Sequence, residues 1–186
     1  MNYQDVLQRY HYQDGAEIFE RISAADKENY QENKDIINEI VLWKINRMPQ
    51  ITPQVIEEIY DLAAITDPME ASENQATFSV IVKLLGAKGI RLPMASTILH
   101  FYHPALYPII DQRAYRELYR EEYPKYLIKK EALAQLYMQY VRDCYAFQQK
   151  NCPDIPFEQI DKILYQLDKE KGNKVKVTLR FRGREM

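Results

Sequence analysis

The fold of this chain is decided by the stretch LLGAKGIRLPMASTIL, residues 84–99. The chain has 186 residues and 5 glycines, and only Gly86 and Gly89 lie between residues 16 and 171. Apolar residues recur at helical spacing on both sides of this glycine pair, and Pro93 suits the first turn of a second helix. The sequence therefore predicts a helix, a tight glycine turn and a second helix, a hairpin over residues 75–102.

This hairpin is a candidate phosphate-binding site. The first backbone N–H groups of the second helix have no partner within the helix, and the helix dipole favours an anion there. Lys88 and Arg91 add positive charge beside the turn. The candidate phosphate contacts are therefore Gly86, Lys88, Gly89 and Arg91. The alternative is that the glycines serve only the turn.

The hairpin and the residues after it resemble the helix-hairpin-helix DNA glycosylases of base-excision repair, which include endonuclease III and the 8-oxoguanine glycosylases. The resemblance covers residues 80–120 and rests on a glycine turn, an apolar pair, a proline-rich loop and an aspartate at a helix start. It is carried by Gly89, Ile90, Ala95, Ile98, Leu99, Pro104, Pro108 and Asp111. It implies an all-α, glycosylase-like helical bundle that binds DNA with a damaged or flipped base.

Asp111 stands where this family keeps its catalytic aspartate. Hydrolysis of an N-glycosidic bond builds positive charge on the sugar, and a carboxylate can stabilise that charge or align the attacking water. Two positions depart from the family: Arg91 replaces a hairpin glycine, and Pro93 replaces the lysine that forms a Schiff base. The resemblance thus implies a monofunctional N-glycosylase. The alternatives are that Asp111 is only an N-cap and that the chain is a non-catalytic binding or assembly module.

Arg113 and three lysines have two interpretations each. Arg113 can contact a phosphate, or it can pair with Glu117 one helical turn later. The lysines can form a solvated helix edge or contact the DNA backbone; they are Lys125, Lys129 and Lys130. No tyrosine is assigned to base stacking, since most of the 15 tyrosines are expected in the core.

Helical patterns dominate the rest of the chain. Two of them cover residues 29–48 and 130–148. Four more begin at a helix-start signal: Thr52, which precedes a proline; the capping-box pattern at 72–75; Asp111; and Pro156, from which the pattern runs to Gly172. We predict a single helical domain over residues 1–168, either one body or two lobes that share a core. Residues 169–186 are basic and alternate apolar and polar residues around Val175, Val177, Leu179 and Phe181. This segment is predicted to be a short strand that can form a homodimer, or else a phosphate-binding arm.

Composition excludes several classes of protein. The net charge is −2, yet residues 83–130 hold nine basic against four acidic residues, which suits one polyanion-binding face on an acidic body.

Cys144 and Cys152 lack the paired spacing of a metal cluster, and we expect no metal and no cofactor, even at His100 and His103. Residues 1–13 lack the apolar core of a signal peptide, and prolines interrupt the uncharged run 92–110. We expect a cytoplasmic protein without a membrane span.

Overall fold

A computed structural model describes residues 16–44 and 49–175, and every regular element in those ranges is a helix. The predicted all-α class is therefore confirmed for this part of the chain. Contacts divide the chain into two compact units, residues 1–50 and 51–186. The part of the predicted C-terminal strand or arm that follows Val175 lies outside the described residues. The domain boundary predicted at residue 168 stays a prediction.

The first unit contains two helices in contact, α1 (Ala16–Ala24) and α2 (Tyr30–Lys44). Asn29 caps α2, because its side-chain oxygen accepts a hydrogen bond from the backbone N–H of Glu32 at 3.2 Å. Each helix buries one isoleucine, Ile18 and Ile36 respectively. An ion pair between Arg21 and Glu39 joins the two helices.

The second unit begins with α3 and is built around a long central helix. Its helices are α3 (Pro53–Asp61), α4 (Pro68–Ala71), α5 (Gln75–Gly86), α6 (Leu92–Tyr102), α7 (Gln112–Tyr119), α8 (Lys130–Asn151) and α9 (Ile160–Glu170). Short 3-10 turns follow α3 and precede α9, at Leu62–Ala64 and Phe157–Gln159. The central helix is α8, with 22 residues, and it contacts α4, α5, α6, α7 and α9. No helix in the described ranges is long and apolar enough to cross a membrane.

The sequence predicts a capping box at Ser72 at the start of α5, and this prediction is wrong. The cap is Asn74, whose side-chain oxygen accepts from the N–H groups of Ala76 at 2.8 Å and Thr77 at 3.4 Å. Ser72 ends the preceding helix instead, and its hydroxyl donates to the carbonyl of Met69 at 2.7 Å. Because α4 ends at Ala71 and α5 begins at Gln75, Ser72 follows α4 directly and does not start α5.

The core of the second unit is formed where α5, α6 and α8 meet. Its members include aliphatic side chains of α5 and α6 that are fully enclosed, and three tyrosines that are equally buried. They are Ile81, Leu84, Leu92, Leu99, Tyr107, Tyr137 and Tyr140. A buried tyrosine hydroxyl needs a hydrogen-bond partner, and these partners position the candidate site.

Candidate functional site

The predicted hairpin is formed by α5 and α6 with residues 87–91 between them. The backbone N–H of Ile90 donates to the carbonyl of Ala87 at 3.2 Å and closes the turn. Gly89 has φ 84°, a left-handed conformation that favours glycine. The glycine is therefore required by the turn itself. Pro93 lies in the first turn of α6, as predicted.

The charged residues of the hairpin point away from the core. Lys88 and Arg91 are exposed, while Ile90 and Leu92 are buried and anchor the turn. Among the described residues, neither Lys88 nor Arg91 forms a hydrogen bond or an ion pair through its side chain. Arg91 has φ −117° and ψ 171°, an ordinary extended conformation. Arg91 is thus accommodated without backbone strain at the position where the glycosylases that the hairpin resembles have glycine.

Asp111 is the N-cap of α7. Its Oδ1 accepts hydrogen bonds from the backbone N–H groups of Arg113 and Ala114, both at 2.8 Å. Its Oδ2 has no hydrogen-bond partner within the part of the chain that the structure describes. One carboxylate oxygen therefore holds the helix start, and the other makes no hydrogen bond with the described residues.

Two tyrosines of α8 hold the backbone that leads to Asp111. The hydroxyl of Tyr137 donates to the carbonyl of Pro108 at 2.9 Å, and that of Tyr140 donates to the carbonyl of Ile109 at 3.0 Å. Burial raises the pKa of both tyrosines well above the ordinary value. The hydroxyls therefore stay protonated, and both carbonyls keep their donors.

The two backbone N–H groups before Asp111 are also satisfied by side chains. The N–H of Ile110 donates to the hydroxyl of Ser96 at 3.1 Å. The N–H of Ile109 donates to the Oδ2 of Asp161 at 2.9 Å, and Asp161 is only 4% exposed. Since a buried backbone group without a partner is costly, these contacts specify one path for the chain up to Asp111.

The two histidines each contact a carbonyl rather than each other. The Nδ1 of His100 lies 2.9 Å from the carbonyl oxygen of Tyr107, and the Nε2 of His103 lies 2.6 Å from that of Ile59. No group of three or more metal-ligating side chains that could hold an ion occurs among the described residues. Each imidazole therefore contacts the backbone of another segment of the chain.

A cavity of about 400 Å³ opens between α7 and α9 beside Asp111. Two carboxylates, one lysine and one tyrosine ring face it. Its lining consists of Ile109, Asp111, Ala114, Asp161, Lys162, Tyr165 and Gln166. The cavity is shallow and largely open to solvent. The hairpin residues are not part of this lining.

Arg113, a predicted DNA contact, is engaged inside the protein. Its Nη1 donates to Asp168 at 3.1 Å and to the carbonyl of Asn173 at 2.9 Å. Its guanidinium carbon lies 5.5 Å from the centre of the Tyr165 ring. The predicted pair with Glu117 is wrong: the Arg113 guanidinium pairs with Asp168, and the Glu117 carboxylate pairs with Lys171 and Arg120. A phosphate contact of Arg113 stays a prediction.

Sequence reasoning did not find Asp161 or Tyr165. Asp161 occupies the first turn of α9, where an acidic residue is ordinary, so nothing in the local pattern marks it. Tyr165 is one of 15 tyrosines. Comparisons with protein-family models, with curated proteins and with solved structures find no match to this chain.

Proposed function

We propose that this protein binds duplex DNA through the α5–α6 hairpin and hydrolyses the N-glycosidic bond of an extruded nucleotide, with Asp111 as the reacting carboxylate. The observation that supports this most directly is the position of Asp111. It caps α7 with Oδ1, it lines the cavity, and its Oδ2 is unengaged among the described residues. The resemblance of residues 80–120 to the glycosylases points to the same aspartate.

The chemistry requires a negative site next to the sugar. As the base departs with the electrons of the C1′–N bond, positive charge develops on the sugar. Asp111 and Asp161 both face the cavity and would stabilise that charge. The Oδ2 of Asp111 would accept the proton of the water whose oxygen bonds to C1′, and the released base takes a proton from solvent.

The cavity also offers a surface for the base. The Tyr165 ring is partly exposed and lies against the guanidinium of Arg113, which fixes its orientation. Enzymes that act on a base hold the flipped base against aromatic side chains. Tyr165 is therefore the side chain that we assign to base stacking.

The second candidate is a module that binds DNA without hydrolysis. It is favoured by the absence of the hairpin residues from the cavity lining and by the structural role of Asp111 as a cap. In this candidate the hairpin alone provides the contact with phosphates.

The test is Asp111→Asn, with Asp67→Asn as the matched control. Asp67 caps α4 through two backbone N–H groups, those of Met69 and Glu70, at 2.8 and 3.1 Å, and it does not line the cavity. Asparagine is as good an N-cap as aspartate, so both variants should fold. Base release from a panel of damaged duplexes should fall by about 100-fold or more for Asp111→Asn and stay unchanged for Asp67→Asn.

DNA affinity separates the two candidates further. Asp111→Asn should bind duplex as well as the wild type or more tightly, because a carboxylate near phosphates has been neutralised. A wild type that binds DNA but releases no base from any panel member supports the module. An active wild type with an equally active Asp111→Asn variant rejects the catalytic role.

A further inference from the structure

Residues 123–130 lie against the hairpin. Lys130 places its Nζ 3.2 Å from the point that a Cβ on Gly86 would occupy. Burial raises the pKa of Tyr123 to about 12, and the nearby charge of Arg91 partly opposes that rise. Lys130 therefore lies beside the end of α5, and Tyr123 lies near Arg91 of the turn.

This surface carries cations that the protein itself does not neutralise. Lys129 and Lys130 are exposed and, like Lys88 and Arg91, make no side-chain hydrogen bond or ion pair with the described residues. Lys129 and Lys130 stand at the N-cap and first position of α8, where the helix dipole favours an anion rather than a cation. Lys130 also neighbours the C-terminal end of α5, which favours a cation there. Lys129 has no such compensation, and an anion bound beside it would offset the unfavourable interaction with the dipole.

Two exposed apolar side chains precede Lys129 in the chain. Tyr126 is 85% exposed and Ile128 is 79% exposed. Leu127 between them is half-buried, and its N–H donates to the carbonyl of Pro124 at 3.1 Å, which fixes the turn. Exposed apolar side chains flanked by lysines suit the opened step of a duplex, where apolar groups can replace lost stacking while the cations contact phosphates.

We propose that Lys129 and Lys130 contact phosphates beside the hairpin and that Tyr126 and Ile128 enter the duplex at a position where a base has been lost or extruded. The proposal rests on the proposed function, since the hairpin supplies the neighbouring phosphate contacts. It identifies the preferred partner as a duplex with an opened base step rather than intact DNA.

The lysines are tested by the salt dependence of DNA binding. The double variant Lys129→Gln/Lys130→Gln should lower the slope of log K against log salt by about 1.8, since each phosphate contact contributes about 0.9. Lys150→Gln is the control, because Lys150 is exposed at the opposite end of α8. An unchanged slope in the double variant overturns the phosphate contacts.

The apolar side chains are tested by the preference for damaged DNA. The double variant Tyr126→Ser/Ile128→Ser should lose about tenfold or more of the preference for a duplex with one stable abasic analogue, and its affinity for intact duplex should not change. Phe101→Ser is the control, because Phe101 lies at the end of α6 and is 79% exposed. Equal preference in wild type and the double variant overturns the insertion.

Failure of this inference can be separated from failure of the proposed function. The double variant Lys88→Glu/Arg91→Glu tests the hairpin alone. If that variant loses duplex affinity while the lysine double variant and the Tyr126→Ser/Ile128→Ser double variant bind like the wild type, only the inference is wrong. If the wild type does not bind duplex at all, the proposed function is wrong as well. Binding to phosphatidylserine vesicles that requires Tyr126 and Ile128, with DNA binding unaffected, assigns the segment to a membrane and also overturns the inference.

Discussion

The hydroxyl of Tyr140 donates to the carbonyl oxygen of Ile109 over 3.0 Å, two residues before Asp111. A side chain of the central helix thus fixes the backbone at the site. The contact is partly buried, and removing the donor takes away the hydrogen bond that the Ile109 carbonyl receives from the core. The position of Asp111 is therefore linked to the core of the protein.

Tyr140→Phe should lower the free energy of unfolding by about 1 kcal/mol, the net contribution of a typical hydrogen bond. It should also slow base release, because the backbone that carries Asp111 loses one support. Tyr145→Phe is the control on the same helix, since the Tyr145 hydroxyl makes no hydrogen bond among the described residues. Chemical denaturation and a base-release assay provide the measurements. Equal stability of the two variants would contradict the role of Tyr140.

Gly89→Ala tests whether the turn conformation matters for DNA binding. Gly89 has φ 84° and Gly172 has φ 73°, so alanine at either position is strained by roughly 1 kcal/mol. No atom lies within 4 Å of a Cβ at Gly172, which makes Gly172→Ala a control for the strain alone. Both variants should lose similar stability, but only Gly89→Ala should lose duplex affinity. A similar affinity loss in both would remove the turn from the interface.

Asp168 should contribute to stability in a pH-dependent way. Hydrogen bonds from Arg116, at 2.8 and 2.7 Å, lower the pKa of this buried carboxyl to about 2, with further help from Asn173 and Arg113 and against the effect of burial. Because the folded pKa lies below the ordinary 3.8, the stabilisation is fully present above about pH 4. It is lost as the pH falls toward 2, and it amounts to about 2 kcal/mol.

Asp168→Asn is the corresponding variant. It should destabilise the protein by roughly 3 kcal/mol near pH 7, because a buried ion pair loses one partner. It should also flatten the fall in stability between pH 4 and 2. Denaturant titrations across this range measure both effects. An acid dependence identical to that of the wild type would assign the loss of stability to other carboxyl groups.

Borohydride trapping tests the monofunctional chemistry. Pro93 has no side-chain amine, so borohydride should trap no covalent adduct between the protein and abasic DNA, and strand cleavage should require added alkali. Lys162 is the amine that lines the cavity. A trapped adduct that disappears in Lys162→Ala would show that this lysine forms a Schiff base and that the monofunctional assignment is wrong.

Local signals allowed the hairpin and the cap to be predicted from sequence. The scarce glycines indicate the turn between α5 and α6. The N-cap at Asp111 is predictable because capping is local: its hydrogen bonds reach only two and three residues ahead. The support of the site was not predictable in this way. Asp161 meets the backbone of Ile109 across 52 positions, and no local pattern encodes such a contact.

The pairing of Arg113 illustrates the same limit. Helical spacing favours a partner one turn away, yet its carboxylate partner is Asp168, 55 positions later on α9. The tertiary partner is favoured because Asp168 is fully enclosed and needs several donors, whereas Glu117 obtains its own cations from Lys171 and Arg120. The burial of Asp168 therefore determines the partner of Arg113, and residue spacing alone does not indicate which carboxylates are buried.

The N-cap at Asp111 has a consequence for the energetics of turnover. Rotation of this carboxylate is already frozen in the free protein, since Oδ1 is fastened to two amide groups. In the proposed reaction, the entropy of ordering the Asp111 carboxylate is therefore lost during folding rather than during each encounter with DNA. Only the water and the nucleotide would then have to become ordered.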